Sequence, residues 1–170
     1  DMTGTVLQEN PVSVTQQDIL DVLPRFLGVQ AQLPPMYSAI KVGGKKLYDL
    51  ARAGKEIERK PRSIEIFSLE PCGREGNDVL LRVHCSKGTY VRTLCHDLGA
   101  ALGCGGCMEE LLRTRVERFA LEDAVKLDEV QKAMEEGTVD SLILPVDRIF
   151  DQYPAAKTTA QGDLLVHNGN

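Results

Sequence analysis

No stretch of these 170 residues approaches the roughly 18 consecutive apolar residues that a membrane-spanning helix needs, which excludes a helical span. The first residues, DMTGTVLQEN, lack the basic and apolar character of a secretory leader, so the expectation is a cytoplasmic protein with no membrane partner. Cysteine is odd in number (Cys72, Cys85, Cys95, Cys104, Cys107), and two of these thiols fall on apolar stripes, where they act as small hydrophobes. That excludes a disulfide framework. A second cysteine or histidine pair at ligand spacing is also missing, so Cys104-Gly105-Gly106-Cys107 reads as a loop rather than a zinc or redox site. There is no internal repeat and no low-complexity tract. With 42% hydrophobic residues, the chain fits one folded domain, or one domain and a piece of another.

A net charge of −5 would argue against a nucleic-acid partner if it were evenly spread. It is not. From Met36 to Arg62, eight cations (Lys41, Lys45, Lys46, Arg52, Lys55, Arg59, Lys60, Arg62) face three anions (Asp49, Glu56, Glu58), so the whole-chain charge conceals a local balance of +5. Phosphate backbones respond to such local clusters rather than to overall charge. Tyr37 and Tyr48 are interleaved with the lysines, the mixture that holds looped RNA: cations on phosphates and rings on bases.

The stretch VLLRVHCSKGTYVRTLCHDLGAALG, Val79 to Gly103, organises the rest. Val79, Leu81, Val83 and Cys85 alternate with polar or outward residues, a two-residue period that predicts a strand. Ser86, Lys87 and Gly88 break it. From Thr89 the apolar spacing becomes helical for about three turns, with Gly103 placed for a left-handed cap. Lys87, Tyr90 and Arg92 sit at the turn and the first helical turn, where free N–H groups also point, which makes a site for an anion. Phosphate and carboxylate both fit.

Elsewhere, Thr15 and Asp18 form a capping-box pattern ahead of a helix that Pro24 should kink or end near Leu23. Val29–Leu33 is short and extended, stopped by Pro34-Pro35. Gly43-Gly44 marks a hairpin tip, followed by a short helix through Leu47, Leu50 and Ala51 closed by Gly54. Arg62–Glu70 predicts a strand returned by the Gly-, Asn- and Asp-rich Cys72–Asp78. Leu111–Phe119 predicts another strand, and Leu121–Met134 a helix with Ala124, Val125, Leu127, Val130 and Ala133 inward. The closing LLVHNGN predicts a strand and a turn.

Three blocks, QLPPMYSAIKVGGKKLYDLARAG, CSKGTYVRTLCHDLGAALGCGG and LLRTRVERFALEDA, stand in the order found in the TruB family of tRNA pseudouridine synthases, which the chain resembles from about Asp1 to Pro145. The resemblance implies an α+β fold: part of a synthase core with a mixed, mainly antiparallel sheet flanked by helices and an inserted RNA-binding thumb at 36–62. It implies conversion of the T-loop uridine at position 55 of tRNA to pseudouridine, without metal or organic cofactor. On this resemblance Arg92 matches the arginine that pairs with the family's catalytic aspartate, and Lys87 and Tyr90 line the same pocket. Leu112 and Arg113 match the strand bordering it. Tyr37, Lys41, Lys45, Lys46, Tyr48, Arg52 and Arg113 are the expected RNA contacts, with the T arm of tRNA as partner. Residues 1–150 are expected to be the later part of the catalytic domain, and 151–170 the start of an RNA-binding PUA domain.

The family's nucleophile lies in a Gly-x-Leu-Asp-Pro block that this sequence does not contain, nor does it contain the family's base-stacking aromatic residue; Asp97, on the central helix, does not match that loop. The expectation is therefore an internal piece that does not isomerise uridine alone and that self-associates through an exposed sheet edge. Two other readings compete with a uridine isomerase. One is a fragment that only docks on structured RNA through the basic arm. The other is an unrelated phosphate-binding or thiol enzyme using Lys87, Arg92 and the two loop cysteines.

Overall fold

The computed structural model describes every residue except 1, 3, 7 and 170. It divides into two compact units, Asp1–Leu112 and Arg113–Asn170. The expected domain limits at residues 1 and 170 lie outside the described residues.

In the first unit, helix α1 (Gln16–Val22) starts as its sequence demands. The Thr15 hydroxyl accepts from the Asp18 N–H at 3.2 Å, and the Asp18 carboxylate accepts from the Thr15 N–H at 2.8 Å. Pro24 then converts the chain to a 3₁₀ turn, Leu23–Phe26. Strand β1 (Gly28–Gln32) follows, then the hairpin β2 (Lys41–Val42) and β3 (Lys45–Lys46), and the short helix α2 (Leu47–Arg52). Both hairpin glycines have positive φ, 57° at Gly43 and 81° at Gly44, the two-residue turn that glycine accepts without strain. Strand β4 (Arg62–Glu75) pairs antiparallel with β1 and with β5 (Asp78–Cys85), giving a three-stranded sheet in the order β1-β4-β5. Helix α3 (Val91–Ala101) closes the unit, with Gly103 at φ 77° after it. The expected return at Cys72–Asp78 is narrower: β4 runs on to Glu75 and only Gly76-Asn77 turn. All described strand pairs are antiparallel, in keeping with the expected α+β fold and its mainly antiparallel sheet.

One core holds this unit together. Ile19, Val22 and Leu23 meet Ile64, Ile66 and Leu69 of β4 and Leu94 and Leu98 of α3, all buried. Fully burying a valine, leucine or isoleucine stabilises a fold by about 1.5–3 kcal/mol, so eight such side chains suffice to seat α1 and α3 on one face of the sheet.

Strand β1 breaks the usual pattern. Its glutamines turn inward and its apolar residues outward: Gln32 is buried, while Val29 is 71% exposed. Each inward glutamine satisfies main chain, Gln30 donating to the Arg25 and Leu27 carbonyls at 3.2 and 3.1 Å, and Gln32 bonding Tyr90. The opposite face carries Val29, Leu80 and Phe67, whose ring lies 4.8 Å from that of His84.

The second unit departs most from expectation. The predicted strand at Leu111–Phe119 is only a two-residue hairpin, β6 (Arg115–Val116) and β7 (Phe119–Ala120), with Glu117 at φ 53° in its tip. The predicted helix splits into a 3₁₀ turn, Leu121–Asp123, and α4 (Leu127–Glu136), which ends at Gly137 with φ 71°. Of its expected inward residues only Ala133 is buried; Val125 and Leu127 are exposed. Residues 164–169 of the terminal LLVHNGN form no strand. The first of these complete α5 (Ala160–His167), capped by the Thr159 hydroxyl accepting from Gly162 N–H.

Candidate RNA-facing site

The turn between β5 and α3 is held from two sides. On one side Ser86 and Glu65 exchange bonds: Ser86 N–H donates to Glu65 O at 2.8 Å, and Glu65 N–H donates to Ser86 Oγ at 2.9 Å. The Thr89 hydroxyl then donates to Ser86 O at 2.9 Å, and Gly88 takes φ 86°, which glycine tolerates. On the other side the Gln32 amide donates to Tyr90 O at 3.1 Å and accepts from Tyr90 N–H at 2.8 Å. Tyr90 is the N-cap of α3 and supplies no side-chain cap itself. Arg92, one position into the helix, is therefore projected from a backbone fixed at both flanks.

Arg92 is half-buried, and its Nη2 donates to the Tyr37 carbonyl at 3.0 Å, within the lead-in to the basic arm. The next residue carries the connection into the arm. The Ser38 carbonyl accepts from Tyr48 N–H at 3.1 Å, and Ile40 O accepts from Leu47 N–H at 2.8 Å. Tyr48 is flanked by two cations: Lys46 Nζ donates to its hydroxyl at 2.8 Å and lies 5.2 Å from the ring centroid, with the Arg52 guanidinium at 5.3 Å. The bond to Tyr48 holds Lys46 above its ordinary pKa, so it stays charged. This ring between cations can stack on a base while its neighbours reach phosphates.

The expected site residues thus gather into two linked clusters, Tyr37 with Tyr90 and Arg92, and Lys46 with Tyr48 and Arg52. Lys41 and Lys45 stand exposed on the hairpin, and Lys87 is exposed in the turn before Gly88. Leu112 is 70% exposed and ends the first unit; Arg113 is exposed and begins the second. Neither lies in a strand, which corrects the expected bordering strand. Asp97 borders a cavity of about 40 Å³ with Phe26, Gln30, Gln32 and Leu94.

The loop of Cys104–Cys107 has a packing role. Gly105 N–H donates to Gly99 O at 2.9 Å, and a Cβ on Gly99 would lie 2.1 Å from Gly106 N. The glycines let this loop touch the α3 backbone. Burial pushes the Cys95 thiol up, with nearby Cys107 adding to it, which disfavours the thiolate that nucleophilic chemistry needs. Among the described residues no three of His, Cys, Asp and Glu converge as metal ligands, and no helix is long and apolar enough to cross a membrane.

Gln32 is the residue that sequence reading missed. A polar side chain on a short extended segment looks solvent-facing; the signal was the alternation Val29-Gln30-Ala31-Gln32, which is equally regular with either face inward.

Two family models match the chain: TruB family pseudouridylate synthase (N-terminal domain) at residues 1–91, and tRNA pseudouridylate synthase B C-terminal domain at residues 92–151. Their junction falls inside the first turn of α3, whereas the structural division falls after Leu112. The chain is 48% identical over 157 residues to tRNA pseudouridine synthase B of Pseudomonas fluorescens (strain Pf0-1), covering 91% of this chain and 52% of that one. It is 42% identical over 170 residues to the protein of that name from Alkaliphilus oremlandii (strain OhILAs), covering 100% and 56%. The chain therefore spans about half the length of the curated relatives it matches. In structure it resembles a chain in the crystal structure of a Cbf5-Nop10-Gar1 complex, with TM-score 0.64 and 30% identity over 82% of this chain and 40% of that one. A chain of an H/ACA RNP bound to a substrate RNA containing 2′-deoxyuridine gives TM-score 0.60 at 26% identity, over 82% and 38%.

Proposed function

The chain belongs to the TruB family of pseudouridylate synthases, and from that premise we propose that it forms part of a cytoplasmic enzyme converting the T-loop uridine of tRNA to pseudouridine. The observation that carries this reading is the hydrogen bond from Arg92 to the Tyr37 carbonyl, which sets a guanidinium at a helix start beside a basic, tyrosine-bearing arm. In the isomerisation the N1–C1′ bond of the uridine breaks, a C5–C1′ bond forms, and the C5 proton is lost as N1 gains one. Mass is unchanged, so no oxidant, reductant or group donor is required.

In this reading Arg92 holds the nucleophilic carboxylate of the Gly-x-Leu-Asp-Pro block ionised and oriented. A guanidinium can grip a carboxylate in a bidentate fork while also bonding a carbonyl, whereas a lysine supplies charge without the fork. Tyr90 and Lys87 line the pocket, and Leu112 borders it. Tyr37, Lys41, Lys45, Lys46, Tyr48, Arg52 and Arg113 contact the T arm. Residues 1–150 are the later part of the catalytic domain, 36–62 the thumb, and 151–170 the start of a PUA domain.

Because these 170 residues contain no Gly-x-Leu-Asp-Pro block, they convert no uridine by themselves. The test is carbodiimide labelling of a T-arm RNA incubated with the chain alone, and with a segment carrying that block supplied in trans. Labelling only in the second case is expected. A second reading, an RNA-docking piece without catalysis, draws on the Lys46-Tyr48-Arg52 cluster; RNA retention with no conversion in either case would favour it. The open edge of β1 and exposed Val29 and Leu80 also support self-association of two copies.

A further inference from the structure

We infer that Gln32 is a positioning residue for the uridine chemistry: its buried amide fixes the Tyr90 turn from which Arg92 projects. The inference rests on the isomerase reading above. Gln32 is only 6% exposed, and burying an amide without partners is costly, so its two bonds to Tyr90 are what permit it there. The geometry is that of one extra rung of sheet. Pro34 and Pro35 end the extended segment two residues later, so main chain cannot continue the pairing, and the side chain of Gln32 instead offers an acceptor to the Tyr90 N–H and a donor to the Tyr90 carbonyl.

The helix needs this from outside. An α-helix start leaves N–H groups unpaired, and α3 has no capping side chain of its own. The Tyr90 carbonyl already accepts from Leu94 N–H at 3.1 Å within the helix, and the Gln32 amide is its second donor. Through that one peptide, strand β1 sets where α3 begins. Arg92 lies two residues on, and its 3.0 Å bond to Tyr37 O requires the helix start to sit at this height. An apolar side chain at position 32 would fill the space yet release the peptide. Arg92 would then keep its charge and lose its aim.

This differs from a purely structural role in what it leaves untouched. The RNA-contacting cluster of Lys46, Tyr48 and Arg52 is bonded within the arm, Tyr48 N–H to Ser38 O and Leu47 N–H to Ile40 O, whereas the Gln32 amide bonds Tyr90. Binding of the T arm and the chemical step should therefore separate.

The experiment compares the wild-type chain, Gln32→Met and Gln32→Glu. Amide hydrogen exchange reports the turn directly. In Gln32→Met, exchange at Tyr90 should accelerate about tenfold or more, the amides of Ile66 and Leu94 staying protected. In Gln32→Glu, whose carboxyl accepts from the Tyr90 N–H but donates to the Tyr90 carbonyl only when protonated, that protection should return in part, and more fully as pH is lowered. With the aspartate-bearing segment supplied in trans, Gln32→Met should lower kcat about tenfold, the KM for T-arm RNA staying within about twofold. Unchanged Tyr90 exchange in Gln32→Met overturns the inference, as does a parallel loss of kcat and RNA affinity. If the wild-type pair itself converts no uridine, the functional reading falls, and Tyr90 exchange still decides whether Gln32 fixes the turn.

Discussion

The start of α3 and the basic arm lie in the same unit and are held in opposite ways. The start of α3 is clamped on both sides, by buried Gln32 on one and by the exchange between half-buried Ser86 and exposed Glu65 on the other, above a core containing Leu94 and Leu98. The arm, by contrast, buries one large side chain, Leu47, bonds α3 through Tyr37 O and the preceding segment through Arg59 to Pro34 O, and is otherwise held by bonds within itself, to Ser38 and Ile40. Chemistry at a single carbon tolerates little misplacement, while a cation on a phosphate tolerates much. The more rigid attachment belongs to the element proposed for the chemistry, and the looser one to the element proposed for RNA.

That contrast predicts which changes destroy the fold and which only loosen RNA. The largest effects are two losses of stability, the first from Gly99→Ala. Its methyl would meet Gly106 N and the Gly105 carbonyl carbon at 2.1 and 2.2 Å, backbone that cannot easily retreat. Thermal unfolding should show a loss of about 3 kcal/mol, at the upper end for overpacking. Leu94→Ala, at a site 2% exposed, should cost about 2–5 kcal/mol by denaturant titration. If either variant unfolded like the wild type, the clamped description of α3 would be wrong.

Changes in the arm should leave stability alone. Tyr48→Ala should weaken T-arm RNA binding by about tenfold, the loss of one stacked base, with the unfolding curve barely moved. Lys41→Ala and Lys45→Ala, both on exposed hairpin positions, should each flatten the dependence of log affinity on log salt by about one phosphate contact. Filter-binding titrations at several salt concentrations read both effects. A fall in melting temperature matching that of Leu94→Ala would erase the contrast.

The smallest effect is at α1. Thr15 lowers the Asp18 pKa through side-chain and main-chain hydrogen bonds. A carboxylate depressed in the folded state lends stability above its unfolded pKa, and that stability disappears as pH falls through the folded value. Thr15→Ala should destabilise the fold near neutral pH, and the gap to wild type should narrow in acid to the part carried by the bond from Asp18 N–H to the Thr15 hydroxyl. A gap that is the same at neutral and acid pH would remove the Asp18 carboxylate from the account of this cap.

Much of the first unit was legible in the sequence because its signals are redundant. The change from a two-residue to a helical period at Ser86–Thr89 is reinforced by Gly88 and Gly103, both with positive φ, so boundary and type agree. The Gly43-Gly44 tip and the Thr15–Asp18 box were equally local. The second unit lacks such agreement. Leu111–Phe119 alternates, yet it pairs over only two residues a side, and α5 forms over a segment whose apolar residues, Leu164 and Val166 among them, stay exposed. There pattern had no packing to enforce it. Arg92 was legible as a charge at a helix start; its tie to Tyr37 O was not, because the contact joins residues far apart in the chain.

Whether Arg92 holds a catalytic carboxylate is decided by Arg92→Lys, assayed for uridine conversion with the aspartate-bearing segment supplied in trans. At least a roughly hundredfold loss of conversion is expected, the scale of removing one partner of a hydrogen-bonded ion pair, with T-arm RNA affinity nearly unchanged. Conversion by Arg92→Lys at the wild-type rate would overturn that role for Arg92.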